Sequence, residues 1–145
     1  MTAKVVAICT SRNKGERKTP VEQVNLLSNH GIEGDDHAGD WHRQVSLLTQ
    51  ESIEKMQKMG LSVQAGDFAE NITTLGIDLP GLPIGTMLKA GETLMEVTQI
   101  GKECHTRLSG RRLRLSDWRP HPQICGMRVP ASSVAADREI QPVRR

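Results

Sequence analysis

Short apolar runs, separated by turns rich in glycine and charge, dominate the hydrophobic pattern of this chain. Residues 4–9 (KVVAIC) and 45–48 (VSLL) are typical of buried strands, and residues 68–74 (FAENITT) indicate another. Residues 86–100 (TMLKAGETLMEVTQI) predict a β-hairpin whose turn falls at the central Ala-Gly pair. Residues 21–27 fit a helical period and a strand equally well. Short strands broken by Gly and Pro favour a β-barrel or rolled sheet over a doubly wound fold.

One segment carries the signals of an amphipathic helix. The Thr49 hydroxyl is suited to cap a helix over residues 50–59, in which Ile53 and Met56 fall on one face. Gly60 can adopt the left-handed conformation that ends a helix. The chain as a whole is therefore predicted to be mainly β with a few helices.

The composition limits what the core is made of and where the protein works. A chain of 145 residues is sized for one domain, and its aromatic residues are Trp41, Phe68 and Trp118. The core must therefore rest on Val, Ile, Leu and Met. No apolar stretch approaches the ~20 residues that cross a bilayer, and the first residues turn charged before a signal-peptide core can form. We expect a cytoplasmic protein with no membrane partner.

Charge is distributed unevenly along the chain. Residues 1–107 carry 11 basic and 14 acidic residues, whereas residues 108–145 carry eight arginines, no lysine and three acidic residues. The second segment has no sustained helical period and no clean alternation. We expect residues 1–107 to form the domain and residues 108–145 to be an Arg- and Pro-rich tail. Two explanations of that tail stay open: it is disordered or weakly docked on the domain, or it is an out-of-frame translation of GC-rich coding sequence.

The three cysteines are widely spaced and form no CxxC pair, which argues against a disulfide framework and a zinc knuckle. Cys104 has the most reactive surroundings, because cationic neighbours lower a thiol pKa toward the thiolate that attacks sulfur or binds a soft metal. These neighbours are Lys102, His105 and Arg107. The alternative is an inert, buried cysteine, a role that Cys9 fits better than Cys104 does.

Residues 31–46 (GIEGDDHAGDWHRQVS) concentrate acids, histidines, an arginine and glycines in one segment. Such polar density is typical of a cleft lining or a tight loop. The alternative interpretation is that Asp35 and Asp36 cap turns while His37 and His42 lie on the surface. A zinc site is chemically compatible with four side chains, although the H-x4-H spacing matches no strong pattern. These are His37, His42, Cys104 and His105.

Signatures of nucleotide-binding and hydrolytic enzymes are absent: the sequence contains no GxGxxG, GxxxxGK[ST], HExxH or GxSxG. The Arg-rich tail could contact phosphates, but it has no interleaved aromatic residues and no recognisable binding motif. We therefore do not expect a nucleic acid partner.

Three blocks of sequence resemble the signature blocks of stand-alone bacterial MOSC domains, the type found at the C terminus of molybdenum cofactor sulfurases. They are residues 31–48, 66–92 and 94–105, and the resemblance runs almost continuously over residues 3–107. It implies a closed or nearly closed β-barrel of the MOSC, pyruvate-kinase-barrel-like type. It also implies a cytoplasmic role linked to the molybdenum cofactor (Mo-molybdopterin), independent of pyridoxal phosphate.

The resemblance also assigns roles to individual residues. It implies that Cys104 is the reactive side chain, either as a persulfide carrier or as a thiolate ligand of molybdenum. Asn71 matches a position that faces the pterin, where an amide can pair with both donor and acceptor edges. Arg43 matches a position whose planar fork suits the cofactor phosphate. The remaining cofactor-binding candidates add positive charge around the same ligand: Lys102, His105 and Arg107.

The sequence departs from the family pattern after residue 107. Family members of this short type continue with a second cysteine and a Gly-Asp-Cys, Pro-Arg-Glu-Gly segment, whereas this chain continues with Leu108 and an unrelated sequence. A missing terminal strand is expected to leave an open sheet edge with unpaired backbone groups.

Together these features favour a molybdenum cofactor-linked sulfur carrier or molybdenum-pterin-binding domain. The expected partners are proteins of cofactor biosynthesis, molybdoenzymes, and a sulfur donor such as a cysteine desulfurase. Two alternatives stay open: an accessory or degenerate domain that binds without chemistry, and a reductase of hydroxylaminopurine-type compounds, as in some relatives. Whether the protein turns over a substrate is not decided by the sequence.

Overall fold

The computed structural model of the protein describes residues 3–13, 16–90, 93–101, 125–129, 134–135 and 139–142. One α-helix and a short 3₁₀ helix accompany twelve strands in this part of the chain. The helices are α1 (Gln50–Lys58) and the 3₁₀ turn Leu79–Gly81. The strands are β1 (Ala3–Thr10), β2 (Thr19–Val21), β3 (Gln23–Val24), β4 (Leu26–Leu27), β5 (Gly31–Ile32), β6 (Val45–Thr49), β7 (Ile72–Leu75), β8 (Met87–Ala90), β9 (Thr93–Ile100), β10 (Cys125–Arg128), β11 (Val134–Ala135) and β12 (Glu139–Pro142).

Seven of the strands pair in a ring. The order is β12-β8-β9-β10-β6-β7-β1, and β12 also pairs with β1, so each strand of the ring has two neighbours; β2 is added outside β1. The closing pair is short, joining Ala3 to Ile140 and Lys4 to Glu139. The β6–β7 pair is parallel and the other ring pairs are antiparallel. The prediction of a mainly β, closed or nearly closed barrel is confirmed.

The inside of the ring is aliphatic, as the scarcity of aromatic residues required. Strand β9 alternates buried and half-buried positions, which is the pattern of a strand with one face on a core. Strand β6 is buried along its whole length because one of its faces packs on the main core and the other on a second apolar cluster. Its Leu47 belongs to the main core, whereas Leu48 packs in a second cluster with Ile53 of α1 and with Phe68.

The helix is confirmed nearly as predicted. The Thr49 hydroxyl accepts a hydrogen bond from the Ser52 N–H at 3.1 Å, which satisfies one of the free donors of the first turn. The helix ends at Lys58, and Gly60 has a φ of +94°, in the left-handed region. The ambiguous residues 21–27 hold only strand pieces, β3, β4 and the end of β2. No helix among the described residues is long and apolar enough to cross a bilayer.

Two expectations about strands differ from the structure. The strand expected over residues 68–74 begins only at Ile72, because Glu70 and Asn71 direct their side chains to nearby main-chain groups. The second difference concerns the segment set apart as a tail. Strand β10 lies inside that segment, yet it pairs with both β9 and β6, and β12 closes the ring in place of the expected open edge.

The apolar signal of β10 is short and is embedded in an Arg- and Pro-rich stretch, which hides it from a search for periodicity. Its Cys125 and Met127 are nonetheless buried in the main core. At least this part of residues 108–145 therefore belongs to the barrel. Residues 102–124 lie outside the described part of the chain.

Candidate functional site

The polar segment singled out in the sequence contains a loop, residues 33–44, that joins β5 to β6; we call it the histidine loop. Asp35 anchors its first half. The Asp35 carboxylate accepts hydrogen bonds from Lys18 Nζ at 2.8 Å, from the Ser11 N–H at 3.0 Å and from the His37 N–H at 3.0 Å. Burial disfavours the carboxylate, but the Lys18 ion pair and these N–H donors together lower the pKa of Asp35. Asp35 therefore caps a turn, as the alternative interpretation held, and also forms a buried ion pair.

The second half of the histidine loop is tied to the ladder between β9 and β10. His42 Nε2 lies 3.0 Å from Gln99 Oε1, and the Thr98 hydroxyl contacts the carbonyl oxygens of His42 and Gly126. Arg128 Nη2 donates to Asp40 Oδ1 at 3.0 Å. These contacts fix the loop across two barrel strands, at the end of β9.

Arg43 is the one cofactor-binding candidate that the histidine loop contributes. Only 7% of the residue is exposed, and its Nε has no hydrogen-bond partner among the described residues. In the same part of the chain no carboxylate forms an ion pair with it. Burial lowers its pKa, and proximity to Cys125 opposes that effect only weakly. A guanidinium buried without a counterion is costly, so this position is suited to receive an anion.

Gly126 makes room for the Arg43 side chain. A Cβ at position 126 would lie 3.1 Å from Arg43 Cγ and 3.2 Å from Gln99 Cβ, closer than well-packed carbon atoms normally approach. Gly126 lies in the segment that composition marked as a tail, so nothing in the sequence pointed to it.

His37 supplies a second buried group without a partner. Its Nδ1 is shielded from solvent, makes no hydrogen bond within the described residues, and lies 4.0 Å from Asp35 Oδ2. Burial lowers the pKa of His37; the cations Lys18 and Arg43 lower it further, whereas Asp35 and Asp36 raise it. The imidazole is therefore neutral at neutral pH. The expectation of a surface position fits the exposed His42 but not His37.

A second polar loop, residues 64–71 (QAGDFAEN), lies between α1 and β7; we call it the glutamate loop. The fully buried Glu70 carboxylate accepts hydrogen bonds from the N–H groups of Gly66 and Phe68. Burial raises the pKa of Glu70, and these donors oppose the rise. A Cβ at Gly66 would lie 2.2 Å from the Lys18 carbonyl oxygen, which only a glycine avoids. Lys18 thus contacts both loops, because its N–H also donates to the Gly66 carbonyl at 3.0 Å.

Asn71 ends the glutamate loop and is fully buried. Its Oδ1 accepts from the Ser46 N–H and its Nδ2 donates to the Cys9 carbonyl, each at 3.1 Å. Its own N–H and carbonyl bond to the same two residues. Both polar atoms of the side chain are therefore engaged with the main chain of β1 and β6.

The two described cysteines are poor nucleophiles. Cys9 and Cys125 are both buried, as was expected for Cys9. Burial raises the pKa of Cys9 to about 11 and that of Cys125 to about 12, so both thiols are protonated at neutral pH. The reactive candidate Cys104 and its neighbours Lys102, His105 and Arg107 lie outside the described residues.

No group of three or more His, Cys, Asp or Glu side chains converges to hold a metal ion within the described residues. Of the four side chains weighed for zinc, only His37 and His42 lie in that part of the chain. Sequence reasoning missed Lys18, Glu70 and Gly126. Lys18 lies in a charged run that has the composition of any solvated loop, and only its burial, at 3% exposure, shows its role.

A seven-stranded β-ring, one α-helix and a polar loop that crosses two of the strands make up the described part of the molecule. The family model of the MOSC domain matches residues 34–129. The chain belongs to the MOSC domain family, which is associated with molybdenum cofactor binding or sulfur transfer. The matched region includes β10, beyond the end of the resemblance noted in the sequence.

Solved structures with the same fold include YuaD from Bacillus subtilis, at 18% identity and a TM-score of 0.72, covering 97% of this chain and 94% of that one. YiiM from Geobacillus stearothermophilus has 19% identity and a TM-score of 0.68, covering 99% of this chain and 76% of that one. YiiM from Escherichia coli has 20% identity and a TM-score of 0.68, with coverages of 100% and 71%. At these identities the likeness shows the fold. A search of curated proteins finds no match.

Proposed function

We propose that this protein is a cytoplasmic sulfur carrier linked to the molybdenum cofactor, which binds the cofactor through Arg43 and carries sulfur on Cys104. Lys102, His105 and Arg107 keep Cys104 ionised and add positive charge next to the ligand. Asn71 acts by holding β1 and β6 in place beside the site.

The observation that carries the proposal is the buried side chain of Arg43, whose Nε has no hydrogen-bond partner and which forms no ion pair within the described residues. A phosphate supplies the charge that this group lacks and can accept from its planar fork in a bidentate manner. The pKa of His37 on the same loop is lowered, and its Nδ1 has no hydrogen-bond partner within the described residues, so this side chain suits a polar edge of the same ligand better than a second phosphate oxygen. These residues therefore fit a phosphate-bearing pterin cofactor.

The assignment of sulfur chemistry to Cys104 is supported by the other two cysteines. Cys9 and Cys125 are buried thiols with raised pKa values, which makes them unreactive. Cys104 follows Gly101 by three residues, and three residues span at most about 11 Å. Gln99, near the end of the same strand, bonds to His42 of the histidine loop. The length of this segment therefore allows the remaining thiol to reach the loop.

The proposed transfer balances without an added oxidant or reductant. The Cys104 thiolate attacks the outer sulfur of a donor persulfide, such as that of a cysteine desulfurase. A sulfur–sulfur bond forms on Cys104 while the donor's sulfur–sulfur bond breaks, and the donor leaves as a thiolate. The proton of the persulfide stays on the transferred sulfur.

Mass spectrometry of the intact protein tests the transfer after incubation with a persulfide donor and removal of small molecules. The wild type and Cys125→Ala are expected to gain the mass of one sulfur atom, and Cys104→Ala is expected to gain none. Sulfur uptake by Cys104→Ala at the wild-type level would refute the carrier role.

Cofactor binding without sulfur transfer is a second candidate function, favoured by one observation. The neighbouring Cys125 thiol is buried and protonated, so the Arg43 site can hold an anion whether or not Cys104 reacts. Titration with molybdopterin separates the two functions: a protein that binds the cofactor but accepts no sulfur is an accessory domain.

A further inference from the structure

The histidine loop exposes an aromatic ring that is held in place. Trp41 is 41% exposed, whereas most large apolar side chains of the described residues are buried. Its Nε1 donates to the His37 carbonyl oxygen at 2.7 Å, and its ring meets the His42 ring edge to face, with centroids 5.5 Å apart. His42 is itself bonded to Gln99. An exposed ring restrained by a hydrogen bond and an edge-to-face contact offers a preformed apolar surface, so a ligand that binds to it loses little additional conformational entropy of the protein.

This surface lies beside the anion position. Trp41 and Arg43 are two residues apart, so their Cα atoms are at most about 7 Å from each other. His37 lies on the same loop, and its ring centroid is 6.5 Å from that of Trp41. A ligand whose phosphate reaches Arg43 therefore binds to the same short loop segment that carries the indole.

We propose that Trp41 is the stacking surface for a planar heteroaromatic ring carried by the phosphate-bearing ligand that Arg43 binds. The assignment rests on the proposed anion site and adds a residue that selects for the ring. A small ligand is favoured over a nucleic acid strand by the charge of the same loop. Glu33, Asp36 and Asp40 are acidic and at least partly exposed, and they would repel a continuous row of phosphates.

Two substitutions of Trp41 isolate stacking from loop structure. Trp41→Phe and Trp41→Leu both lose the hydrogen bond to His37 and both keep an apolar side chain, but only the phenylalanine keeps a ring. The probes are 6-hydroxymethylpterin monophosphate, which has ring and phosphate, and inorganic phosphate, which has the anion alone. Dissociation constants are measured by calorimetry with the full chain of each variant.

The wild type is expected to bind the pterin phosphate about tenfold more tightly than inorganic phosphate, a gain of the size that one aromatic stacking contact supplies. Trp41→Phe should retain affinity for the pterin phosphate to within about threefold, and Trp41→Leu should lose the gain while binding inorganic phosphate unchanged. Pterin phosphate should also quench tryptophan emission in the wild type more than in Trp41→Phe, in which Trp118 is the remaining tryptophan.

Two results would overturn the inference, and they differ in whether the proposed anion site at Arg43 is overturned as well. Equal affinity of Trp41→Phe and Trp41→Leu for the pterin phosphate, with binding still abolished by Arg43→Met, removes the stacking role and leaves the anion site. Failure of the wild type to bind either phosphate compound removes the anion site and the stacking surface together.

Discussion

The histidine loop and the glutamate loop are alike in composition and opposite in how their buried polar groups are satisfied. Both are short and polar, both contain glycines, and both contact Lys18. In the glutamate loop, Glu70 accepts two main-chain N–H groups and Asn71 uses both side-chain polar atoms on the main chain. The histidine loop, within the described residues, leaves Arg43 Nε and His37 Nδ1 without partners.

On our proposal, this difference in bonding separates a structural loop from a ligand-binding one. A buried polar group with no partner destabilises the folded state by about 1–3 kcal/mol, and by more when it is charged. Neutral hydroxyls without a partner also occur on the barrel strands, as at Thr73, but a buried cation without a counterion is far more costly and points to a place where an anion completes the bonding. In the glutamate loop the side chains of Glu70 and Asn71 are bonded within the protein, whereas the histidine loop holds the ligand site that we propose.

The largest expected effect is the loss of stability caused by Asn71→Ala. The substitution leaves the Ser46 N–H and the Cys9 carbonyl buried without their side-chain partner, at a place where β1 and β6 are both held. We expect the free energy of unfolding to fall by about 3 kcal/mol, the cost of two such groups. Urea denaturation followed by circular dichroism measures it.

Thr73→Val is the matched control. Thr73 is fully buried in β7, the strand that follows Asn71, and its hydroxyl has no hydrogen-bond partner within the described residues, so its removal should not lower the free energy of unfolding and is expected to raise it by about 1 kcal/mol. If Asn71→Ala were as stable as Thr73→Val and bound ligand more weakly, the glutamate loop would be the binding loop and the comparison would be reversed.

A smaller effect of opposite sign is expected for Arg43→Met. Methionine keeps the length of the aliphatic stem against Gly126 but removes a buried charge that has no counterion in the described structure. The free energy of unfolding should therefore rise by about 1 kcal/mol, because an uncompensated buried charge is lost. Phosphate binding should disappear at the same time, as calorimetry would show.

Arg43→Lys separates charge from shape. Lysine keeps the positive charge and loses the planar fork, so this variant should not gain stability and should bind phosphate with reduced affinity. A loss of stability in Arg43→Met would contradict the comparison, because it would mean that the guanidinium is already compensated within the protein.

Much of the fold could be predicted because its signals are local. The Thr49 cap, the apolar face of α1 and the Gly60 stop all lie within one short segment, and the hairpin of β8 and β9 has its turn between adjacent strands. Strand β10 could not be predicted from pattern. It has four residues, and its burial comes from pairing with β6 and β9, which are distant in sequence.

The candidate site could be predicted in part. Polar density identified the histidine loop, and the family resemblance identified Arg43, which is buried and whose Nε has no partner within the described residues. The same resemblance assigned Asn71 to the ligand, and its engagement with the main chain emerges only in three dimensions. Lys18 and Gly126 gave no signal, since one stands in a charged run and the other in an Arg-rich segment, and each acquires its role through a contact distant in sequence.

The smallest expected effect is a change in how stability depends on pH, and it concerns the second unpaired group of the histidine loop. Burial and the nearby cations lower the pKa of His37 below its ordinary value near 6.5, so the unfolded chain binds a proton that the folded protein does not. The stability that this difference contributes is fully present above about pH 6.5 and is lost as pH falls through the window between 6.5 and the lower folded-state pKa.

The expected result is that His37→Gln, which cannot take up a proton, loses less stability than the wild type between about pH 7 and about pH 5. Urea denaturation at intervals of pH gives the two slopes, and their difference removes the contributions that both proteins share. Two carboxyl groups are among these shared contributions. Because the pKa of Glu70 is raised, its contribution to the free energy of unfolding grows as pH falls; because the pKa of Asp35 is lowered, its contribution is lost at more acidic pH.

His42→Gln, on the exposed part of the same loop, is the matched control and should keep the contribution of His37. Equal slopes for His37→Gln and the wild type would mean that this imidazole accepts its proton freely in the folded state, and then only Arg43 would distinguish the histidine loop from the glutamate loop.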